Sequence, residues 1–412
     1  MKRFSVIIMV IILLISNMEI IYGEESKNLK FTSISAGSQH VLVIESGNIW
    51  YWGSNRYGKL GNGTKKPNST PLKISGTGDW KSVEAGRDYS LALKKDGTLW
   101  GWGLALSSED NYKNYINKPI KLSEDKWKMV SAGSVFFIGI KEDNSIWKGC
   151  VYDKDYNVQP YMRITQIGFS KDWKDISVGD NHALLIKKDG TLWSYGQSNN
   201  GALGLGEEIQ YAYELPIQVG QDKNWIKIHA GWSESIALKK DDSLWSWGFV
   251  HNRYIFKPTK IEEKIEYIDL DTYGHITYVD KKNTVWTYSG PKYITPTDYP
   301  YKRRKVEGIK DVISIENGTR FSVALDRNGN IWTWGDNETG ELGYGKGCIS
   351  YSPIQIGTSN KWEKIYGKNS TVHGGIKEDN SLWVWGNSYV GRLGYAGGVI
   401  PMKMNEEKIG KK

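Results

Sequence analysis

A chain of 412 residues would ordinarily divide into two or three domains, and a formal net charge of +8 marks this one as basic. Its 46 glycines, 25 tyrosines and 19 tryptophans favour strands and turns, and no long stretch has the apolar period of a helix. Composition therefore argues against a helical protein and favours an all-β fold. The basic residues are scattered along the chain, so the charge indicates solubility first and an acidic partner or anionic polymer second.

The N-terminus has the pattern of a secretory signal. A basic start precedes the apolar run 4–15, which is shorter than the roughly 20 apolar residues that cross a bilayer. We expect a signal peptide over residues 1–23, cleaved after Gly23, and a short linker over 24–30. Retention of the run as an anchor is the alternative, because Ile21 is bulky where a small residue is preferred. The processed chain is expected to be secreted or associated with the cell wall, with no membrane span.

The segment 90–103, SLALKKDGTLWGWG, defines the repeat and predicts a β-hairpin, with positive φ angles at Asp96 and Gly97 in its turn. Similar hairpins recur at intervals of 41 to 52 residues, which is typical of propellers and other repeat arrays. Each is marked by a tryptophan at one of these positions: Trp50, Trp100, Trp147, Trp193, Trp245, Trp286, Trp332 and Trp383.

Every unit has the same order of parts: a first strand ending near Ala-Gly, the hairpin, a loop, and a short strand led by proline. Four strands per unit is the count of a propeller blade. We therefore predict a single closed β-propeller of four-stranded blades over residues 31–404, with eight blades, or seven as the alternative. Its tryptophans are expected to fill the wedges between blades.

The two ends of the predicted ring raise the question of how it closes. The last unit ends in a strand from Pro401, and no strand precedes Phe31 in the first unit. The ring could close by lending a strand from one terminus to the blade begun by the other, which would cover exposed sheet edges. Residues 405–412 are expected to form a charged tail.

The loops between third and fourth strands are of two kinds. Units one, four, seven and eight carry Gly-x-Leu-Gly, at 58–61, 201–204, 340–343 and 391–394. The other four units carry irregular segments rich in tyrosine, a residue that gives large contact area at low entropic cost. Drift in a tolerant loop is the alternative to binding. The predicted partner-binding residues are Tyr112, Tyr115, Tyr152, Tyr156, Tyr254, Tyr293 and Tyr299.

No catalytic, cofactor or metal site is predicted. A glycan hydrolase needs two converging carboxylates, and the candidates Glu109, Asp110, Glu207 and Glu208 lie in non-equivalent loops. His40, His182 and His275 share one hairpin position and are interpreted as packing residues, while His229, His251 and His373 lack metal-ligand spacing. Cys150 and Cys348 fall in units three and seven, too far apart for a disulfide, so two unpaired thiols are expected.

The combination of motifs resembles the repeat of the regulator of chromosome condensation family. The best matches are Ala36-Gly37 with His40, residues 94–103, and residues 55–61, and the resemblance covers about 31–404. It implies a β-propeller, usually of seven blades where eight tryptophan positions occur here. Members include a nuclear exchange factor for a small GTPase and secreted bacterial proteins, among them an inhibitor of β-lactamases. No exchange-factor residue of that family can be matched to a position in this chain.

Three functions are compatible with these observations. The first, which we favour, is a secreted or cell-surface binding propeller of bacterial type, acting as a monomer on a protein or glycan partner, without nucleic acid. The second is a carbohydrate-active enzyme, a hydrolase or lyase, on the same scaffold. The third is a regulator resembling guanine-nucleotide exchange factors, which the predicted export disfavours. Fold similarity alone does not decide among them.

Overall fold

The computed structural model describes residues 31–403, apart from 38, 75, 77, 105–114, 151–162, 198, 207–211, 251–252, 271–275, 288–302, 319–320, 339, 346, 348, 358–360, 367–371 and 387–401. The described residues form eight four-stranded antiparallel sheets, each built from four strands consecutive in the chain. Two short 3-10 helices, η1 (Arg56–Gly58) and η2 (Asn199–Gly201), are the helices found in this part of the chain. The prediction of an all-β propeller with eight four-stranded blades is confirmed.

The sheets are blades 1 to 8 in chain order. The strands of blades 1 to 4 are β1 Phe31–Ala36, β2 His40–Glu45, β3 Asn48–Gly53, β4 Asn68–Lys73; β5 Trp80–Ala85, β6 Tyr89–Lys94, β7 Leu99–Leu104, β8 Tyr115–Ser123; β9 Trp127–Ala132, β10 Phe136–Lys141, β11 Ile146–Cys150, β12 Ile164–Gln166; β13 Trp173–Val178, β14 His182–Lys187, β15 Leu192–Gln197 and β16 Ala212–Gln218. Those of blades 5 to 8 are β17 Trp225–Ala230, β18 Glu234–Lys239, β19 Leu244–Val250, β20 Arg253–Glu262; β21 Ile265–Leu270, β22 Ile276–Asp280, β23 Val285–Thr287, β24 Arg304–Lys305; β25 Val312–Gly318, β26 Phe321–Asp326, β27 Ile331–Gly335, β28 Ser350–Gln355; β29 Trp362–Tyr366, β30 Val372–Lys377, β31 Leu382–Gly386 and β32 Met402–Lys403.

Within the described residues, the ring closes without exchanging a strand between the termini. Blade 1 begins with its own β1 and blade 8 ends with its own β32, so the strand exchange considered from the sequence is not found among the described strands. Side chains make the closure instead: Val43 and Trp52 of blade 1 pack in one apolar cluster with Ile376 and Leu382 of blade 8. Burial of this cluster excludes water from the last interface as it does between other blades.

First strands of neighbouring blades lie against one another. Ser33 Oγ accepts a hydrogen bond from the Val83 amide at 3.2 Å, and Ser35 Oγ accepts one from Ala85 at 2.9 Å. Ser177 Oγ accepts a similar bond from the Ala230 amide, also at 2.9 Å. These serines satisfy backbone groups on the free edge of the next first strand, which would otherwise be unpaired.

The turn of the defining hairpin, 90–103, uses one residue of positive φ where the sequence predicted two. Gly97 has φ +87°, and its amide donates to the Lys94 carbonyl at 2.9 Å, whereas Asp96 keeps negative φ. A tight turn closed by one left-handed residue gives a three-residue hairpin loop. The Asp96 carboxylate is then free to accept from the amide and the hydroxyl of Thr98, at 2.9 and 2.6 Å.

The hairpin tryptophans belong to a repeated structural unit. The Trp100 indole N–H donates to Thr98 Oγ1 at 3.0 Å, and the Lys94 ammonium lies 4.5 Å from the Trp100 ring centre and 5.1 Å from that of Trp80. An ammonium between two aromatic faces is held by the negative potential of both rings. The same Lys-between-tryptophans arrangement recurs at Lys141, Lys187, Lys239 and Lys377.

Two ends of the wheel are distinguished by their connections. Turns between first and second strands and loops between third and fourth strands lie at one end, here the loop face. The hairpin turns and the connections between blades lie at the other end, here the hairpin face. Because successive strands are antiparallel, this assignment holds for every blade. The seams, defined as the interfaces between consecutive blades, run from one face to the other.

Candidate functional site

The Gly-x-Leu-Gly loop is a socket for a tryptophan of the following blade. At the 1–2 seam, the Lys59 carbonyl accepts from the Trp102 indole N–H at 2.8 Å and from the Ser90 hydroxyl at 2.7 Å. A Cβ at Gly61, where φ is +71°, would lie 2.9 Å from that indole nitrogen. Glycine is therefore required by the next blade's tryptophan as well as by its own backbone.

A buried histidine completes the socket. His40 Nε2 lies 2.8 Å from Ser90 Oγ, and since that hydroxyl donates to Lys59, the imidazole N–H is the donor. Burial, and then the nearby Lys59 ammonium, hold the pKa of His40 well below its usual value. His40 is a neutral packing group, as the sequence indicated.

The same set of hydrogen bonds forms at the 4–5 seam, and we call this shared arrangement the skeleton of the two seams. The Ala202 carbonyl accepts from the Trp247 indole at 2.8 Å and from Ser235 Oγ at 2.7 Å, and His182 Nε2 lies 2.8 Å from the same hydroxyl. Burial lowers the pKa of His182 to about 4. The two seams therefore share a core, and any difference in function must come from their surfaces.

On the loop face, the 4–5 seam carries four aromatic side chains, Trp232, Phe249, Tyr254 and Phe256, which we name the aromatic ridge. Trp232 and Tyr254 are 50% and 58% exposed, unusually high for such large side chains. The Tyr254 ring centre lies 5.2 Å from that of Phe249 and 6.5 Å from that of Phe256. Exposed aromatic groups that lie together mark interaction sites more often than scattered ones do.

The backbone under the ridge is tightly bonded. The Phe249 amide donates to the Ser233 carbonyl at 2.8 Å, which ties the Trp232 turn to the third strand. The buried Glu234 carboxylate accepts from the amides of Trp232 and Ser233, at 3.3 and 3.0 Å. The Gly206 amide donates to the Phe256 carbonyl at 2.8 Å, which joins the loop of blade 4 to the outer strand of blade 5. The rings are thus presented on a preorganised support.

The 1–2 seam has other residues at the matching positions. Counting from the glycines that the two seams share, Arg87 replaces Trp232, Leu104 replaces Phe249 and Asn117 replaces Phe256, while a tyrosine is retained at Tyr115. Asn117 bonds to the loop of blade 1, its Nδ2 donating to the Gly63 carbonyl at 2.7 Å. One scaffold therefore carries an aromatic surface at one seam and a polar surface at the other.

Of the predicted binding tyrosines, Tyr115 and Tyr254 lie among the described residues. Each begins or nearly begins the fourth strand of its blade at the loop face, and blades 2 and 5 are not neighbours in the ring. The structure therefore does not bring these two together. Tyr254 instead contacts two aromatic residues that the sequence analysis did not select, Phe249 and Phe256. The remaining predicted residues lie outside the described part of the chain: Tyr112, Tyr152, Tyr156, Tyr293 and Tyr299.

Another cluster of titratable groups lies at the 3–4 seam, which lacks the Gly-x-Leu-Gly socket. Tyr195 stands where the 1–2 and 4–5 seams have Trp102 and Trp247, and its hydroxyl accepts from the Lys148 ammonium at 2.7 Å. Cys150 is a free thiol whose pKa is raised by burial, while Cys348 lies outside the described residues. Tyr195 and Lys148 thus fill the seam with a polar contact in place of an indole.

Several sequence expectations fall outside the described residues or concern absences within them. Glu109, Asp110, Glu207, Glu208, His251 and His275 are among the positions not described. In the ranges that are described, no three His, Cys, Asp or Glu side chains come together as metal ligands would. A membrane-crossing helix is likewise not found in those ranges.

Comparison with known proteins shows which sequence family the repeats resemble. A sequence profile described as the regulator of chromosome condensation (RCC1) repeat matches residues 46–93, 189–238 and 328–367, and a second RCC1 profile matches 80–108, 173–202 and 312–341. The protein is thus an eight-bladed β-propeller made of sequence repeats. The matched segments, which lie in blades 1–2, 4–5 and 7–8, are similar to RCC1 repeats.

Individual relatives are distant. Human E3 ubiquitin-protein ligase HERC2 is 25% identical over 322 residues, which are 77% of this chain and 5% of HERC2. The Arabidopsis thaliana ultraviolet-B receptor UVR8 is 23% identical over 321 residues, 77% of this chain and 56% of the receptor. The chain thus spans between a twentieth and rather more than half of these two relatives.

A solved structure gives the same fold. Prp20p from Saccharomyces cerevisiae superimposes with a TM-score of 0.60 at 18% identity, covering 88% of this chain and 97% of Prp20p. That structure is described together with the binding of Prp20p to Gsp1p and histones. At this identity the similarity shows the fold, and it leaves function to the residues of the site.

Proposed function

We propose that the protein is a secreted or wall-associated binding propeller that recognises a protein partner through the aromatic ridge of its loop face. The observation that supports the proposal is that the 1–2 and 4–5 seams share one skeleton but differ in their surface residues. Three positions that are Arg, Leu and Asn at the 1–2 seam are all aromatic at the 4–5 seam. Packing of the core does not require this change, because the same core forms at both seams.

The chemistry of the ridge suits a protein partner. Tryptophan and tyrosine are enriched among residues that dominate binding energy at interfaces, since they bury large area with few rotatable bonds. Trp232 and Tyr254 present such area on a bonded support, so little conformational entropy is lost on contact. Related propellers are named as a ligase, a receptor and a protein that binds Gsp1p and histones, which supports an interaction role.

Capture experiments with matched variants test the proposal. A double variant, Trp232→Arg with Phe256→Asn, places the residues of the 1–2 seam on the 4–5 skeleton. Tyr351→Ala is the control, because Tyr351 lies on the outer strand of blade 7 and is 68% exposed. After crosslinking in the native surroundings, the double variant should retain less than a tenth of the partner captured by the wild type, and the control should retain most of it. Equal capture by all three proteins would contradict the proposal.

The proposed location rests on the N-terminal pattern and is tested separately. Fractionation with an antibody to the propeller should find a chain shortened by about 23 residues outside the membrane. Recovery of the full-length chain inside the cell would overturn the proposed export and leave the ridge experiment unaffected. A screen for glycan turnover addresses the alternative of an enzyme, which an activity abolished by one loop carboxylate change would favour.

A further inference from the structure

We propose that the loop face has a second binding site at the 1–2 seam, which takes a linear anionic polysaccharide. The site is a cluster of five cationic side chains, named here the basic rim: Arg56, Lys65, Lys66, Arg87 and Lys118. All five are solvent-exposed and lie on the loop of blade 1 or on the facing turn and outer strand of blade 2. The proposal is independent of the aromatic ridge and its protein partner.

The loop that carries three of these cations is fixed by one buried side chain. The Asn55 amide Nδ2 donates to the carbonyls of Thr64 and Lys66, both at 3.0 Å, while its Oδ1 accepts from the Leu60 amide at 2.9 Å. The Gly63 amide donates to the Asn117 carbonyl at 2.7 Å, which ties the loop to blade 2. Cations on a preformed loop lose less entropy on binding than those on a mobile one.

In the described segments that form the rim, cationic residues outnumber acidic ones. Asp88 is the single acidic residue in the segments 54–67, 86–89 and 115–118. Its carboxylate lies 3.2 Å from the fully buried ammonium of Lys59 and 3.8 Å from Arg87 Nε, so it is shared between a sixth cation and one cation of the rim. The corresponding segment at the 4–5 seam, 197–210, has two glutamates and no cation. Positive charge is therefore concentrated at one seam, which raises the local concentration of anionic ligands.

The aromatic groups of the rim argue against a nucleic acid. The Arg56 guanidinium lies 4.8 Å from the Tyr57 ring centre, and the Lys65 ammonium lies 4.8 Å from that of Tyr115. Proteins that bind single strands stack bases on open aromatic faces, and these two faces are covered. The rim is made of the three-residue 3-10 helix η1, turns and strand ends, and these segments contain no α-helix of the kind that reads a major groove.

The apolar content of the rim argues against an acidic protein segment. Leu104 is buried, and Asn117 is engaged with Gly63, so no apolar anchor stands among the five cations. Protein interfaces rely on buried aromatic or aliphatic anchors for most of their affinity. A polymer with regularly repeated charges and no apolar side chains matches the rim better, and acidic polysaccharides have that chemistry.

Binding of full-length protein to polygalacturonate, a carboxylated polysaccharide, tests the assignment, with its methyl-esterified form as the neutral polymer. We expect binding to the acidic polymer that weakens as salt is raised. The triple variant Arg56→Gln, Lys65→Gln, Lys66→Gln should weaken it at least tenfold at 50 mM salt and reduce the log–log salt slope by about two. The control variant Lys95→Gln, Lys188→Gln, Lys240→Gln removes the same charge from exposed positions on the hairpin face and should change the affinity less than twofold.

Each other outcome overturns the proposal. Absence of binding, or equal binding of the neutral polymer, removes the acidic polysaccharide as ligand. Equal weakening in the control variant shows general charge attraction and no site. Tighter binding of duplex DNA or polyglutamate, lost in the rim variant, assigns the rim to nucleic acid or to an acidic protein. Thermal unfolding of both triple variants verifies that the propeller is intact, so a folding defect is recognised separately.

Discussion

The 1–2 and 4–5 seams show how one repeat can be given two surfaces. In both, a carbonyl of the Gly-x-Leu-Gly loop receives a tryptophan indole and a serine hydroxyl from the next blade, and a buried histidine bonds to that serine. Their solvent-facing residues diverge into an aromatic ridge and a basic rim. The comparison teaches that the motif specifies assembly of the ring, while binding properties are carried by neighbouring positions.

The largest expected effect concerns the shared core. Trp247→Ala and Trp102→Ala each remove a fully buried indole and its hydrogen bond, and should lower the free energy of unfolding by roughly 3 to 5 kcal/mol. Trp232→Ala, on the exposed ridge, should cost less than about 1 kcal/mol. Urea denaturation followed by circular dichroism provides the comparison. A loss at Trp232 as large as at Trp247 would show that the ridge belongs to the core.

A second prediction concerns pH. Burial lowers the pKa of His182 to about 4, so between that pH and about 6.5 the unfolded chain binds a proton that the folded chain does not. Stability therefore falls as the pH drops from 6.5 towards 4, with a contribution from His182 on the order of 3 kcal/mol.

The matched variant for that prediction is His182→Phe, since Phe136 and Phe321 occupy this position in blades 3 and 7. Stability measured at pH 7 and pH 4.5 should differ less in this variant than in the wild type. His40 provides the parallel test at the 1–2 seam, where Lys59 adds to the effect of burial. If the pH dependence were unchanged in His182→Phe and in the equivalent variant His40→Phe, these imidazoles would bind protons in the folded protein with the same pKa as in the unfolded chain.

The smallest expected effect on stability is that of the double variant at the aromatic ridge. Trp232→Arg with Phe256→Asn should change the free energy of unfolding by less than about 1 kcal/mol, because blade 2 carries these residues on the same backbone. Thermal and urea unfolding verify this for the protein used in partner capture. Destabilisation by several kcal/mol would mean that the two skeletons are not interchangeable.

The fold was predictable because its determinants repeat. Five first strands, for example, begin with a tryptophan at the same place in the repeat: Trp80, Trp127, Trp173, Trp225 and Trp362. The blade count followed from eight hairpins, since each hairpin supplies the two middle strands of a blade. Closure was not predictable in the same way, because the strand from Pro401 pairs equally well in its own blade or in another until packing of both ends is known.

The candidate site was predictable in small part. Tyr254 was found because tyrosine-rich loops stood out against the regular units. Trp232 was missed because tryptophans were interpreted as wedges, although it follows Gly231 in a turn where other units have small or charged residues. The basic rim was missed because its cations come from two separate parts of the sequence, 56–66 in blade 1 and 87–118 in blade 2. Their proximity arises from docking of blade 1 onto blade 2, which composition cannot show.

Hydrogen exchange on the captured complex tests the central claim, that two seams with one skeleton differ in what they bind. With the protein partner bound, we expect slower amide exchange at 231–234 and 253–257 on the 4–5 seam, and unchanged exchange at 86–89 and 115–118 on the 1–2 seam. Protection of both seams alike, or protection confined to the hairpin face, would contradict it.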